Sequence, residues 1–121
     1  MEVILDTNFI VSCIRKKIDF LEQLREQGFK VIVLREVLQE LKDILRRDGS
    51  SREDRLAVNV ALELLFGKRV KHMTIGQGKV DDELIRLGNM GYYIATLDRV
   101  IKRQVPSRVV IFDAQKRVGP E

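Results

Sequence analysis

Short apolar runs alternate along this chain with stretches of helical spacing, and this alternation constrains the fold more than any other feature. Val3–Leu5, Phe29–Leu34 and Tyr92–Leu97 resemble buried strands, whereas apolar residues recur at helical spacing from Arg35 to Arg47. Strands that alternate with helices pair in parallel, because each crossover helix returns the chain to the same end of the sheet. We therefore predict an α/β protein, a three-layer α/β/α sandwich with a mainly parallel central sheet.

The predicted elements follow one another without a repeat, a low-complexity segment or a long linker. In chain order they are strand Val3–Leu5, helix Asn8–Lys16, a helix through Phe20 and Leu24 that stops at Gly28, strand Phe29–Leu34, helix Arg35–Arg47, a helix opened by Ser50 with Glu53 and running to Phe66, strand Val70–Thr74, helix Asp81–Asn89, strand Tyr92–Leu97, helix Asp98–Gln104 and strand Arg108–Phe112. We expect residues 1–121 to form a single domain whose last few residues are loose.

Composition narrows the classes of protein to consider. The 121 residues are 45% apolar, enough to enclose a core. Their apolar runs are far shorter than the roughly 20 residues of a membrane helix. No basic segment leads into a long apolar stretch, so we expect no secretory leader and a cytoplasmic location. Cys13 is the only cysteine, which excludes an internal disulfide and a zinc site built on several thiolates.

The charge of the chain leans toward an anionic partner. Its formal net charge is +4, and basic residues cluster at Arg15-Lys16-Lys17, Arg46-Arg47, Lys68-Arg69 with Lys71, and Lys102-Arg103. Each cluster taken alone is compatible with an ordinary solvated face. Together they favour an anionic ligand such as nucleic acid.

Two aspartates follow predicted strands at the point where each strand ends. Asp6 follows Val3–Leu5, and Asp98 follows Tyr92–Leu97. Ligands of parallel α/β sheets bind beyond the carboxyl ends of the strands. We therefore expect these two carboxylates to meet at one edge of the sheet.

Helical geometry adds two further carboxylates. At about 100° per residue, Glu40 lies at the border of the apolar stripe of its helix, whereas Glu36 and Asp43 lie further toward solvent. Asp81 shares the direction of the apolar face of the next acidic helix, and Asp82 points off that face. We expect Glu40 and Asp81 to be directed toward the sheet.

Four neighbouring carboxylates favour a divalent cation. Each ionised group raises the pKa of the others, and Mg²⁺ or Mn²⁺ relieves that repulsion with the oxygen ligands it prefers. Thr7, Asn8 and Thr96 could orient ligands or water around it. The alternative is structural. Asp6-Thr7-Asn8 and Thr96 with Asp98 are good helix N-caps, and Asp81-Asp82 is favourable in a first helical turn.

These residues resemble the motifs of the PIN domain family. The matching motifs are Leu5-Asp6-Thr7-Asn8, Leu38-Gln39-Glu40-Leu41, Asp81-Asp82-Glu83-Leu84-Ile85 and Ala95-Thr96-Leu97-Asp98-Arg99, in the family's order along nearly the whole chain. The resemblance implies a Rossmann-like sandwich and Mg²⁺- or Mn²⁺-dependent endonucleolytic cleavage of single-stranded RNA. It makes Asp6, Glu40, Asp81 and Asp98 the catalytic and metal-binding residues. Asp82, Asn8 and Thr96 become supporting residues.

The resemblance also suggests partners. The family includes VapC-type toxins, which pair with an antitoxin, and nucleases that process ribosomal RNA, and its members can form homodimers. The basic helix with Arg99, Lys102 and Arg103 is expected to hold RNA.

Two alternatives to a nuclease stay open at this stage. One is a non-catalytic RNA- or protein-binding module of the same fold. The other is a flavodoxin-like regulator that accepts a phosphoryl group on aspartate. The regulator is disfavoured, because an acidic pair after the first strand and a lysine after a late one are both missing.

Several single residues and one short loop have simpler explanations. His72 lies away from the acidic motifs, and Cys13 falls on an apolar helix side, where packing explains it. Tyr92-Tyr93 could stack on bases, but their place at a strand start favours packing. Gly76-Gln77-Gly78 lacks the Lys-Ser/Thr arrangement that follows a phosphate loop and is interpreted as a flexible loop.

Overall fold

The computed structural model describes residues 1–67, 69–76 and 78–121. Its elements are β1 (Glu2–Leu5), α1 (Thr7–Arg15), α2 (Phe20–Glu26), β2 (Lys30–Leu34), α3 (Arg35–Arg46), α4 (Arg52–Leu65), β3 (Val70–Met73), α5 (Val80–Asn89), β4 (Tyr93–Ala95), α6 (Arg99–Gln104), β5 (Arg108–Phe112), a 3₁₀ helix (Asp113–Gln115) and β6 (Arg117–Pro120). Two predictions reach outside these ranges, since the Lys68-Arg69 pair and the Gly76-Gln77-Gly78 loop each contain one residue that is not described.

The six strands form one sheet in the order β3-β2-β1-β4-β5-β6. All neighbours pair in parallel except β5 and β6. The predicted three-layer, mainly parallel architecture is therefore confirmed. The chain leaves β1 toward β2 on one side and later returns to β4 on the other, which makes the carboxyl ends of β1 and β4 the switch point of the sheet.

The central strands are buried on both faces because helices cover both. Val3, Ile4 and Leu5 of β1 have no exposed surface, as expected for a strand of a parallel sheet. Helices α1, α3 and α4 contact one another, and α5 contacts α6. No helix within the described ranges is long and apolar enough to cross a bilayer.

The final residues are ordered, so the prediction of a loose end was wrong. β6 pairs antiparallel with β5, and Val118 is fully buried. Two glutamines of α2 hold the strand: Gln27 Nε2 donates to the Val118 carbonyl at 2.9 Å, and the Val118 N–H donates to Gln23 Oε1 at 2.8 Å. These bonds explain why a short strand with a glycine and a proline stays in place.

Helix α4 begins one residue later than its sequence predicts. Ser51 is the N-cap, and its hydroxyl accepts the Asp54 N–H at 3.0 Å. Ser50 instead donates its hydroxyl to the Ile44 carbonyl at 2.7 Å, near the end of α3. The predicted pairing of Ser50 with Glu53 was therefore wrong, because the tertiary bond to α3 engages Ser50.

Candidate active site

Asp6 lies at the switch point and is held on three sides. Its N–H donates to the Ala95 carbonyl of β4 at 2.9 Å. Its Oδ1 accepts the Thr7 N–H at 2.9 Å, and its Oδ2 accepts the Thr96 hydroxyl at 2.7 Å. Asp6 is 6% exposed and Thr96 is fully buried. The predicted meeting of the β1 and β4 ends is thus realised through a direct bond between Asp6 and Thr96.

Thr7 joins Asp6 to Glu40. While its N–H binds Asp6, its hydroxyl donates to Glu40 Oε2 at 2.9 Å. Thr7 is buried, and Glu40 is half-buried on α3, as its place at the border of the apolar stripe predicts. Two carboxylates from separate elements are therefore fixed relative to each other by one threonine, a contact that helical geometry could not anticipate.

Asp98 also caps helix α6. Its Oδ1 accepts the Val100 N–H at 2.8 Å and the Ile101 N–H at 3.4 Å. Its own N–H donates to the Thr96 hydroxyl at 3.1 Å. The cap interpretation is correct for Asp98, yet these bonds use Oδ1 only. None of the hydrogen bonds within the described residues uses its Oδ2.

Asp81 reaches the site by charge more than by contact. It lies in the first turn of α5 and is exposed, so the expectation that it is directed toward the sheet stays a prediction. Its negative charge nevertheless raises the pKa of both Asp6 and Glu40. Asp82 is exposed beside it. Asp81 thus adds its charge to those of Asp6, Glu40 and Asp98, which together with Asp81 are called the acidic group, and it lies on the solvent-facing side of this group.

Glu36 has a role that the sequence did not reveal. It was expected to face solvent, but it is half-buried, and its Oε1 accepts the Ile75 N–H at 3.2 Å. Ile75 is buried and lies between β3 and α5, the segment that leads to Asp81. Glu36 therefore fastens this segment to α3, one helical turn before Glu40.

The electrostatics of the site disfavour several negative charges at once. Burial is the largest cause that raises the pKa of Asp6, and the bonds from Thr96 and Thr7 lower it; the charges of Asp81 and Asp98 raise it further. Burial also raises the pKa of Glu40, the Thr7 bond lowers it, and the charges of Asp6, Asp81 and Asp43 raise it. A nearby positive charge would therefore favour the ionised form of both groups.

That positive charge does not come from a side chain in the described parts of the protein. The ion pairs there use other acidic residues, namely Glu22, Glu53, Asp54, Glu83, Asp113 and Glu121. The donor chemistry, carboxylate oxygens without a cationic partner, fits a hard divalent cation. Within residues 1–67, 69–76 and 78–121, no three histidine, cysteine, aspartate or glutamate side chains are arranged closely enough to hold one metal ion together.

A broad groove opens beside this acidic group. It has a volume of about 960 Å³, and Asn8, Leu97 and Asp98 line it close to the acidic residues. From there it follows α1 to Arg15 and Lys16, with the segment between α3 and α4 on its other wall. Asn8 is exposed and lines this groove. Of the four candidate metal-binding carboxylates, Asp98 is the one that lines the groove.

The basic helix α6 starts directly at the acidic group. Arg99 is its first residue, and Arg99 and Arg103 are exposed, whereas Lys102 is half-buried. The carbonyl of Lys102 accepts a bond from Arg108 at 2.9 Å. Two exposed guanidinium groups therefore belong to the helix that Asp98 caps.

Structural contacts surround three residues for which the sequence suggested no catalytic role, His72, Cys13 and Tyr93. His72 Nε2 lies 2.8 Å from the Leu65 carbonyl, and its ring meets Phe66 edge to face. Cys13 is buried in the core, and burial raises the pKa of its thiol to about 12. Tyr93 is half-buried and packs edge to face on Phe29. None of these contacts leads to the acidic group.

Fold and site together define a class: an α/β domain with a buried carboxylate, that of Asp6, at the switch point of a mainly parallel sheet. Within that class, the family described as "PIN like domain" matches residues 3–114, and the chain belongs to this family. It is 25% identical over 109 residues to "Ribonuclease VapC4" of Methanocaldococcus jannaschii, an alignment that covers 86% of this chain and 82% of the relative. Its fold matches the structure titled "Structure of the PIN domain endonuclease Utp24" with a TM-score of 0.75, at 22% identity, over 99% of this chain and 90% of the other.

Proposed function

We propose that this protein is a metal-dependent endoribonuclease that cleaves single-stranded RNA, with Asp6, Glu40, Asp81 and Asp98 as its acidic residues. One observation carries the proposal: Asp6 and Glu40, whose pKa values are raised by burial and by neighbouring carboxylates, are bridged by Thr7 and have no cationic partner among the described residues. Membership in the PIN family and relatives named ribonuclease and endonuclease support it.

The acidic residues would hold the metal ion. Asp6, Glu40, Asp81 and the free oxygen of Asp98 would hold Mg²⁺ or Mn²⁺, with Asp82 as a further acidic residue at the rim. Once bound, such a cation lowers the pKa of water and stabilises charge on a phosphodiester during in-line attack.

The remaining polar residues would position the acids and the RNA. Thr7 and Thr96 keep the Asp6 and Glu40 carboxylates in place and oppose their protonation, since both bonds favour the ionised forms. Asn8 at the groove, together with Arg99, Lys102 and Arg103 of α6, would bind the RNA strand. Their contact with phosphates predicts that binding weakens as salt rises.

The test is cleavage of a labelled single-stranded RNA by the purified protein in Mn²⁺ or Mg²⁺, against the same reaction in EDTA. Glu40→Gln removes one acidic group on α3 and is expected to abolish cleavage. Glu63→Gln makes the same change at an exposed position of α4 and serves as the matched control. Residual cleavage in the Glu40→Gln preparation would reveal a contaminating nuclease.

The outcomes separate the proposal from its alternative. Products that require the metal and disappear with Glu40→Gln but not with Glu63→Gln support a nuclease. RNA that is bound but left intact under every metal condition identifies a non-catalytic RNA-binding module instead. The predicted protein partners, an antitoxin, a ribosome-processing factor or a second copy of the chain, stay predictions.

A further inference from the structure

A second cavity, of about 380 Å³, lies between the end of α1 and the turn that leads into β6. Six residues line it: Arg15, Lys16, Lys17, Ile18, Asp113 and Lys116. Four of the six are cations and one is an anion. Extending the proposed function, on which this inference rests, we propose that this basic pocket binds a backbone phosphate of the RNA strand that crosses the acidic residues.

Lys17 and Lys116 are the residues of the basic pocket that carry available charge. Arg15 binds Glu53 at 2.9 Å and Asp54 at 3.0 Å, and Lys16 binds Asp113. Lys17 and Lys116 are exposed, and neither pairs with a carboxylate of the described residues. Two ammonium groups at one cavity suit an anion such as phosphate, which binds lysine as a point charge.

The backbone gives an independent reason to single out these two lysines. Among the described residues they are the non-glycine residues with left-handed backbones, at φ 58° for Lys17 and 47° for Lys116. That region disfavours a side chain with a Cβ, and observed strain of this kind points toward function. Both strained lysines line the same cavity.

Lys17 occupies a position where glycine is the usual residue. It ends α1 with two bonds typical of a helix C-terminus, from the Lys17 N–H to the Ile14 carbonyl at 3.0 Å and from the Ile18 N–H to the Cys13 carbonyl at 2.9 Å. Helix α2 of the same chain ends instead with Gly28, at φ 89°. The chain therefore keeps a lysine where a glycine would be free of strain.

Lys116 is held in a similarly defined turn. Its N–H donates to the Asp113 carbonyl at 3.2 Å, and its own carbonyl accepts the side chain of Gln23 at 3.2 Å. The two walls of the basic pocket, the end of α1 and the turn before β6, are thus both fixed by backbone bonds. A site with fixed walls loses little freedom when an anion binds.

The basic pocket is continuous with the acidic group through the groove. Arg15 and Lys16 line both cavities, and the groove extends from them to Asn8 and Asp98. The seven residue-to-residue steps of α1 from Asn8 to Arg15 span about 10 Å at 1.5 Å per residue. At about 3.4 Å per stacked nucleotide, that length corresponds to roughly three nucleotides.

The charged residues that line the groove nearly cancel one another, so the attraction for a phosphate comes from the basic pocket. Arg15, Lys16 and Arg47 line the groove together with four carboxylates, those of Asp48, Glu53, Asp54 and Asp98. Their sum is slightly negative, so the groove has no net attraction for a phosphate. The basic pocket at its end, together with α6 on the other side of Asp98, supplies the positive charge on either side of the cleavage position.

The test measures RNA affinity against salt in an Asp6→Asn background, which prevents cleavage during the measurement. Binding of a fluorescein-labelled single-stranded 20-mer RNA is followed by anisotropy between 50 mM and 1 M salt. Lys17→Gln/Lys116→Gln is compared with Lys30→Gln/Lys71→Gln. This matched pair removes two lysines from a different cavity, at the amino-terminal edge of the sheet.

Loss of one phosphate contact is expected to reduce the slope of log affinity against log salt by about 0.7. Over this twentyfold salt range, that change corresponds to an affinity about eightfold weaker at 50 mM salt. The control pair is expected to keep the parent slope. Lys17→Gly gives a second readout: it should raise the melting temperature by relieving backbone strain while still weakening RNA binding. A residue that only ends the helix would not produce both changes.

The proposal is overturned if Lys17→Gln/Lys116→Gln keeps the slope and affinity of the control pair. When the wild-type protein cleaves RNA with Mn²⁺, that result refutes the basic pocket alone. The converse result, a reduced slope without cleavage under any condition, refutes the nuclease and leaves the basic pocket as an RNA-binding site. The two failures are therefore distinguishable.

Discussion

Replacing Thr7 with valine removes one hydroxyl from the centre of the acidic site and little else. Valine has nearly the shape of threonine, and Thr7 is only 6% exposed, so packing is preserved. The Thr7 N–H still reaches Asp6 Oδ1 at 2.9 Å. Only the 2.9 Å bond from the hydroxyl to Glu40 Oε2 is lost. The substitution therefore isolates the bridge between the two carboxylates.

The loss in stability is expected to be small. A hydrogen bond to a charged group contributes about 1.5–3 kcal/mol when both partners are buried. Glu40 is half-buried and water can replace the hydroxyl, so we expect about 1 kcal/mol, or roughly 4 °C in melting temperature for a chain of this size. The bond favours ionised Glu40, so the difference is present at neutral pH and shrinks as Glu40 becomes protonated in acid.

The loss in activity is expected to be larger than the loss in stability. Removing a residue that orients a ligand typically costs 10–100-fold in metal affinity or activity. Thr7→Ser keeps the hydroxyl and is the matched control. Both variants are assayed for Mn²⁺-dependent RNA cleavage across a Mn²⁺ titration, alongside thermal melting without metal. If Thr7→Val cleaves RNA like Thr7→Ser at every Mn²⁺ concentration, the Thr7 bridge has no part in the site.

Three further predictions concern the site and its support. Asp6→Asn should lower cleavage more than about 100-fold. Folding raises the pKa of Asp6, so the ionised group opposes folding, and the metal-free variant should melt at a higher temperature at pH 7, a gain that vanishes below the ordinary pKa of 3.8. A lower melting temperature at pH 7 would mean that Asp6 serves mainly as a helix cap. Glu36→Ala should reduce cleavage about tenfold, because the Ile75 N–H loses its acceptor, whereas Glu36→Gln keeps an acceptor and should retain cleavage. Equal cleavage rates for the two variants would exclude a role of this hydrogen bond in the site. Gly88→Ala should lower the free energy of unfolding by about 1–3 kcal/mol in urea, since an added Cβ would lie 2.8 Å from Val105 Cβ. A gain in stability, as alanine gives at an uncrowded helical position, would contradict this crowding.

Most of the fold could be predicted because its signals are local. β1, β2, β4 and β5 contain short apolar runs, and burial on both faces favours such runs in a parallel sheet. β6 could not be predicted this way, since Arg117–Pro120 contains a glycine and a proline, residues that are uncommon inside strands. Its order comes from Gln23 and Gln27, more than 90 residues earlier in the chain.

The candidate site was predictable as far as topology determines it. Strand ends placed Asp6, Thr96 and Asp98 at one edge of the sheet, and the structure joins them by hydrogen bonds. The contribution of Glu36 was hidden because a helical projection describes one helix and not the segment that covers it. Only the tertiary structure shows that the Ile75 segment lies over that side of α3.

The antiparallel strand at the end of the sheet has a consequence for how the molecule is made. During synthesis, β5 has an open edge until residues 117–120 leave the ribosome and pair with it. A nascent chain that stops short of Lys116 already contains Asp6, Glu40, Asp81 and Asp98, yet it lacks one wall of the basic pocket. Under the proposed function, phosphate binding at the basic pocket therefore requires a segment, residues 113–116, that is synthesised after all four acidic residues.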